Sequence, residues 1–238
     1  MKSGFQPKAF KGYNLTSEEQ IKLDKFLKKN LNKECIKPLE SPMASPFFFV
    51  KKKDGKLQSC QDYCYLNDWT FKNTYPLPLI SKIMDKIKGA KFFTKFDVRW
   101  GYNNVQIRKE DQWKATFKTN QGLFEPTVVF FGMCNSPATF QAMMDYILID
   151  MIEENLVIIY MDDILIFAKT QEELERITKM VLQQLRDNDL YLKPKKCKFN
   201  KTIIKYLGLI VKEGQLSMDL VKLKGITGWP TPSTVKQL

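Results

Sequence analysis

The 238-residue sequence contains no histidine. That absence removes the Ser–His and Cys–His nucleophile systems and every zinc or iron site built on imidazole, so any chemistry must rest on carboxylates, lysines and hard metal ions. Cysteine is sparse. Cys35, Cys60, Cys64, Cys134 and Cys197 are odd in number and never spaced as Cys-x-x-Cys, which suggests neither a disulfide framework nor a structural zinc site. They read as reduced, mostly buried thiols. Long apolar runs are also missing: no stretch of about 18 apolar residues predicts a membrane span. The start, Met1-Lys2-Ser3-Gly4-Phe5-Gln6-Pro7-Lys8, lacks the apolar core of a signal peptide. The reading is an intracellular, non-secreted globular chain with no membrane partner.

What is present in excess is positive charge. A formal net charge of +12 favours a polyanionic partner, because each Lys or Arg that neutralises a phosphate releases a condensed counterion. Nucleic acid leads that class, against the plainer reading of a basic but merely soluble surface. With 44% hydrophobic residues the chain is able to bury a sizeable core.

Thr16-Ser17-Glu18-Glu19 forms a capping box, and Ile21, Leu23, Phe26, Leu27 and Leu31 continue it as a helix from about 17 to 30. Phe47 to Val50 and Leu57 to Tyr63 flank Asp54-Gly55, which predicts a β-ribbon with a basic tip. Pro76 and Pro78 introduce a second helix with Ile80, Ile83, Met84 and Ile87 on one face and Gly89 at its end. A strand, Phe92 to Asp97, follows. Asn135-Ser136-Pro137 opens a helix expected to run unbroken to about Glu154. Leu156 to Tyr160 and Ile164 to Ala168 are apolar strands joined by Met161-Asp162-Asp163. Thr170-Gln171-Glu172-Glu173 caps a last helix to about Asp187, with Leu174, Ile177, Val181, Leu182 and Leu185 on its buried face. The order predicts a split βαβ sheet of the α+β class, with helices on one face and the other face open to a ligand. The sequence stops as a further helix begins, which reads as a truncation.

Two adjacent aspartates at the tip of an apolar hairpin repel one another unless a cation neutralises them. Mg²⁺ suits hard oxygen ligands, and a pair of such ions about 3.5 to 4 Å apart serves in-line phosphoryl transfer. The plain alternative is a solvated Asp-Asp turn.

The residues around the pair decide between these. Tyr160-Met161-Asp162-Asp163-Ile164-Leu165-Ile166 resembles the catalytic signature of reverse transcriptases. Further matches occur in family order: Phe49-Val50-Lys51-Lys52-Lys53-Asp54-Gly55, Asp62-Tyr63, Leu66-Asn67, Asn73 to Pro78, Phe96-Asp97, Gly101-Tyr102, Phe131-Gly132, Asn135 to Gln141, Lys196 to Phe199, Tyr206-Leu207-Gly208 and Trp229-Pro230-Thr231-Pro232. Together they resemble the gypsy class of long-terminal-repeat retrotransposons from about residue 13 onward.

The resemblance implies a right-hand polymerase fold: fingers at 1–71 and 107–130, palm at 72–106 and 131–215, and the start of a thumb at 216–238. It implies an RNA-directed DNA polymerase that uses an RNA or DNA template with a primer, and dNTPs, in a cytoplasmic particle or the nucleus. Asp97, Asp162 and Asp163 would ligate two Mg²⁺ ions, with Mn²⁺ as a possible substitute. Lys52, Lys53, Lys56, Gln58, Tyr102, Phe131, Gly132 and Gln141 would form the nucleotide pocket, with Tyr102 as the steric gate against a 2′-hydroxyl. Asn67, Pro137, Tyr160, Met161, Lys196, Leu207 and Gly208 would meet primer or template, with Leu207-Gly208 as the primer grip and Lys196 as a proton donor or phosphate contact. Nothing in the resemblance fixes the oligomeric state.

The sequence also departs from the family's pattern. Gln58 and Cys64 stand where arginines are usual, Trp100 replaces a small serine, Pro126 enters an aromatic-bearing strand, Phe130 replaces a proline and Ala115-Thr116-Phe117 inverts Thr-Ala-Phe. These departures predict a weak or inactive copy, and they keep open the alternative of a nucleic-acid-binding remnant that does not polymerise. A metal-dependent nuclease or cyclase on the same palm would retain the aspartates without needing the gate or the lysine ribbon.

Overall fold

A computed structural model describes residues 1–52, 55–79 and 82–218, with the Met84 side chain outside the description. The first elements are α1 (Ser17–Leu31), β1 (Ile36–Pro38), β2 (Ser45–Lys51), β3 (Leu57–Gln61), α2 (Cys64–Trp69), α3 (Ile83–Lys86) and β4 (Phe92–Asp97). Next come β5 (Phe117–Thr119), β6 (Gly122–Pro126), α4 (Ser136–Ile147), α5 (Ile149–Glu153), β7 (Val157–Tyr160) and β8 (Asp163–Ala168). The last are α6 (Gln171–Asp187), β9 (Lys198–Lys201), β10 (Ile203–Tyr206), β11 (Leu209–Lys212) and β12 (Gln215–Met218). The chain divides into two compact units, one of Met1–Pro76 with Trp100–Ala142, the other of Leu77–Arg99 with the chain from Met143 onward.

The first unit is built on a sheet in the order β1-β6-β5-β2-β3. α1 begins where the capping box predicts: the Thr16 hydroxyl accepts from the Glu19 N–H and the Glu19 carboxylate accepts from the Thr16 N–H. Leu23 and Leu27 are buried, and the Phe26 ring packs on Phe47, Phe117 and Phe130. Burying each of the rings Phe47, Phe117 and Phe130 contributes about 1.5–3 kcal/mol to the stability of the unit. The β2–β3 ribbon forms with Phe47 opposite Gln61 and Lys51 opposite Leu57. Lys53 and Asp54 at its tip lie outside the described residues, but Gly55 donates to the Lys52 carbonyl with φ +78°, a left-handed position that suits glycine.

The second unit holds a four-stranded antiparallel sheet, β7-β8-β4-β9. β4 and β7 therefore run the same way with β8 between them, the split βαβ arrangement expected. α6 packs on β8 and β4 through Leu174, Ile177, Thr178, Val181 and Leu185. Leu182, assigned to that stripe from sequence, is instead 37% exposed, because a 3.6-residue period carries it past the edge of the buried arc. The open second face is also corrected. Leu165 and Phe167 pack against Ile83, Ile87, Ile204, Tyr206 and Val211, so the small sheet β10-β11-β12 helps to cover the face opposite α6. Its neighbours Ile164 and Ile166 are fully buried too, which explains the unbroken apolar run of β8.

Two helices are shorter than their apolar spacing suggests. α3 keeps only Ile83–Lys86. Residues 71–79 are non-helical, and Asn135 holds their start by accepting from the Asn73 N–H and donating to the Phe71 carbonyl. Ile80 lies outside the described residues. The helix from Ser136 is divided by Leu148, a buried residue at φ −114°, ψ 24° that separates α4 from α5.

Candidate active site

The register of β4 and β8 sets Asp97 opposite Asp163. Directly opposed residues project to the same face with Cβ atoms about 4.5–5.5 Å apart, so these carboxylates are neighbours although 66 positions separate them in sequence. Tyr160 pairs with Asp163, leaving Met161-Asp162 as a two-residue loop. Met161 is held at φ +57°, a left-handed conformation that costs a non-glycine residue about 1–3 kcal/mol. The tip is tied down by the Val98 N–H, which donates to the Asp162 carbonyl at 2.8 Å.

Three lysines neutralise the three acids. Lys193 Nζ lies 2.5 Å from Asp97 Oδ1 and 3.7 Å from Asp162 Oδ2, Lys196 Nζ is 3.1 Å from Asp97 Oδ2, and Lys95 Nζ is 2.8 Å from Asp163 Oδ1. The Asp97 side chain is only 8% exposed, so its charge requires such partners. Its hydrogen bond and charge, with smaller contributions from Asp162 and Asp163, raise the pKa of Lys196. Among the described residues no three carboxylates close on one point. In chemistry the donor set nonetheless suits a hard cation: all three side chains offer carboxylate oxygens, and Asp97 and Asp162 already share one ammonium. Behind them the buried Tyr206 hydroxyl donates to the main-chain oxygens of Asp163 and Ile158.

The other predicted residues fall in both units. In the second, Tyr160 and Met161 immediately precede Asp162, and Leu207 (φ +52°) and Gly208 (φ +77°) form the two-residue turn between β10 and β11, with Tyr206 opposite Leu209. In the first, Lys52 and Lys56 are exposed at the ribbon tip, where the Lys52 N–H donates to the Lys56 carbonyl, and Gln58 pairs with Val50. Tyr102 sits in a short turn at 101–104 with its ring edge-on to Phe140 at 5.9 Å. Gln141 is fully buried, Phe131 is exposed, and Pro137 lies in the first turn of α4. Gly132 adopts φ +104° with its own carbonyl accepting from Asn67 Nδ2, while Asn67 Oδ1 accepts from the Cys134 N–H. Asn67, expected at the primer or template, thus clamps the 132–134 loop through both ends of its carboxamide.

Sequence reasoning missed Lys95, Lys193 and the clamping role of Asn135. Lys193 stands among four lysines within six residues, and no periodicity separates it from its neighbours. The departures from family pattern are partly absorbed. Phe130 is a core ring, Ala115, Thr116 and Phe117 are buried, and Pro126 lies beyond the β5–β6 ladder, which ends at Phe124. The Trp100 ring, at φ +66°, lies beneath Lys33 Nζ, 3.6 Å from its centroid. Cys64 opens α2 with its N–H donating to Asp62, and that carboxylate also raises the pKa of its thiol.

Comparison with known proteins bears on the family and the fold. The profile of the family described as "Reverse transcriptase (RNA-dependent DNA polymerase)" matches residues 21–211. The transposon Tf2-3 and Tf2-7 polyproteins of Schizosaccharomyces pombe are each 32% identical over 228 residues, 96% of this chain but 17% of the polyprotein, so the chain spans a small part of those relatives. Among solved structures, a foamy viral protease-reverse transcriptase in complex with double-stranded DNA aligns over 98% of this chain and 41% of its own, with a TM-score of 0.89 and 21% identity. The same kind of protein in complex with an RNA/DNA hybrid aligns over 98% and 31%, with a TM-score of 0.86 and 20% identity. The α+β fold is thus that of a right-hand polymerase, and the chain belongs to the reverse transcriptase (RNA-dependent DNA polymerase) family.

Proposed function

We propose that this chain is the polymerising part of a gypsy-class long-terminal-repeat retrotransposon polyprotein, transferring nucleotides from dNTPs to a primer 3′-hydroxyl on an RNA or DNA template. The observation that carries the reading is the opposition of Asp97 and Asp163 across adjacent strands, with Asp162 beside them at a strained tip. In this reading fingers are 1–71 and 107–130, palm 72–106 and 131–215, and thumb from 216. Asp97, Asp162 and Asp163 hold two Mg²⁺ or Mn²⁺ ions, which when bound supply charge stabilisation of the transferring phosphoryl group and a more acidic 3′-hydroxyl. Tyr102 excludes a ribose 2′-hydroxyl, and Lys52, Lys53 and Lys56 offset triphosphate charge. Leu207-Gly208 presses on the primer, and Lys196 serves as a proton donor or a primer-phosphate contact. The net charge of +12 supports a nucleic-acid partner read by shape and backbone.

Primer extension with magnesium on a defined RNA template tests the reading. Incorporation that disappears in Asp162→Asn is the expected outcome. Salt-sensitive duplex binding with no incorporation under any condition would favour the second reading, a binding remnant, which the neutral Gln58 and Cys64 support.

A further inference from the structure

Lys193 occupies an unusual place in this acid–lysine set. Its main-chain N–H donates to the Asp97 carbonyl at 2.9 Å, and its own carbonyl accepts from the Lys196 and Cys197 N–H groups, which anchors its backbone at the head of the Pro194–Lys196 turn. From that anchor its ammonium reaches between Asp97 Oδ1 and Asp162 Oδ2. Lys196 differs: its side chain is 63% exposed and its ion pair to Asp97 is at the other oxygen, Oδ2. Lys95 is turned to Asp163 alone among the three acids.

We propose that Lys193 is a built-in counterion that holds the place of a bridging divalent cation and must be displaced before metal binds. This rests on the metal reading above. Lys193 and Lys196 are the cations set against the near-buried Asp97 side chain, and Lys193 alone also reaches Asp162, so the metal-free chain is stabilised by Lys193. A divalent ion has to displace that ammonium, because both seek the same carboxylate oxygens and like charges a few ångströms apart repel. The side chain is 34% exposed, and its long stem gives it a route away from the acids while the backbone stays fixed.

Two opposed effects follow from removing it. Lys193→Met should lower the denaturation midpoint of the metal-free chain, and it should tighten divalent binding by about tenfold or more, as expected for loss of one competing charge between two ligands. A purely structural lysine would give only the first effect. The measurement is Mn²⁺ binding by electron paramagnetic resonance and Mg²⁺ binding by calorimetry, on the full chain without nucleotide or nucleic acid. Lys196→Met is the comparison and should gain less. If the methionine variant does not fold, Lys193→Gln, which keeps the stem and a donor, carries the same comparison. Equal affinity in the original chain and the Lys193 variant overturns this inference while leaving the metal reading intact. Absence of divalent binding in every chain overturns both.

Discussion

The Tyr206 hydroxyl donates at 3.3 Å to the main-chain oxygen of Asp163. Tyr206 is fully buried at the end of β10, immediately before the Leu207-Gly208 turn, so this contact joins the small sheet to the strand that carries a candidate metal ligand. Phenylalanine at position 206 would keep the ring and leave the two carbonyls of Ile158 and Asp163 without this donor. Tyr206→Phe is expected to cost about 0.5–1.5 kcal/mol in urea denaturation. An unchanged midpoint would show that the hydroxyl is not part of the coupling.

Alkaline stability should carry the signature of the same residue. Burial pushes Tyr206 and Tyr63 well above the usual tyrosine range, with Asp163 adding to the shift at Tyr206. In the unfolded chain both ionise near pH 10, so above that value the folded state binds more protons and stability falls as pH rises. Below it their contribution is fully present. With no histidine in the chain, side-chain titration between about pH 6 and 8 should be slight, and denaturation midpoints should stay level there. Tyr206→Phe should flatten the decline above pH 10, and an equally steep decline would assign it to other groups.

Gly132 gives a sharper test of loop geometry. A Cβ at its φ of +104° would be strained and would lie 3.2 Å from the Gln61 carbonyl oxygen. The same loop is clamped by Asn67, which limits its freedom to move aside. Gly132→Ala is therefore expected to destabilise by about 1–3 kcal/mol. Gly12, with no left-handed φ and nothing within 4 Å of a built Cβ, is the control, and Gly12→Ala should change stability little. Comparable thermal midpoints for the two variants would contradict the strain.

Much of this was legible in the chain. The Thr16 and Thr170 caps, the alternating apolar and turn residues, and the Asp162-Asp163 tip each follow from local rules that hold wherever the segment lies. The bounds of β4 follow from its aromatic residues Phe92, Phe93 and Phe96, with Asp97 as its last residue. What stayed hidden depends on contacts distant in sequence. Leu148 breaks its helix and Asn135 turns its carboxamide to residues 71 and 73, though local spacing favours a longer helix and a simple cap. Lys193 meets Asp97 across 96 positions, and only the β4 register and the turn at 194–196 bring the two together.

Gln58 and Cys64 replace the arginines that the family pattern places there, and both lie in the first unit, on β3 and at the start of α2. A neutral amide and a thiol cannot supply a bidentate, charge-assisted contact to a phosphate. By analogy with the loss of one oxyanion-hole donor, losing such a contact costs about 2.7–4 kcal/mol of transition-state stabilisation, or roughly 100-fold to 1000-fold in rate. The double reversion Gln58→Arg with Cys64→Arg is therefore expected to raise primer extension by at least about 100-fold over the unmodified chain. Trp100→Ser is a different case. The indole is engaged by Lys33, a contact worth about 0.5–2 kcal/mol, so its loss should lower stability and add little further rate. A rate gain that appears only when Trp100→Ser is included would locate the obstruction at the indole. Robust synthesis by the unmodified chain, with no gain from either arginine, would mean that the lysines around positions 51 to 56 already supply the missing charge.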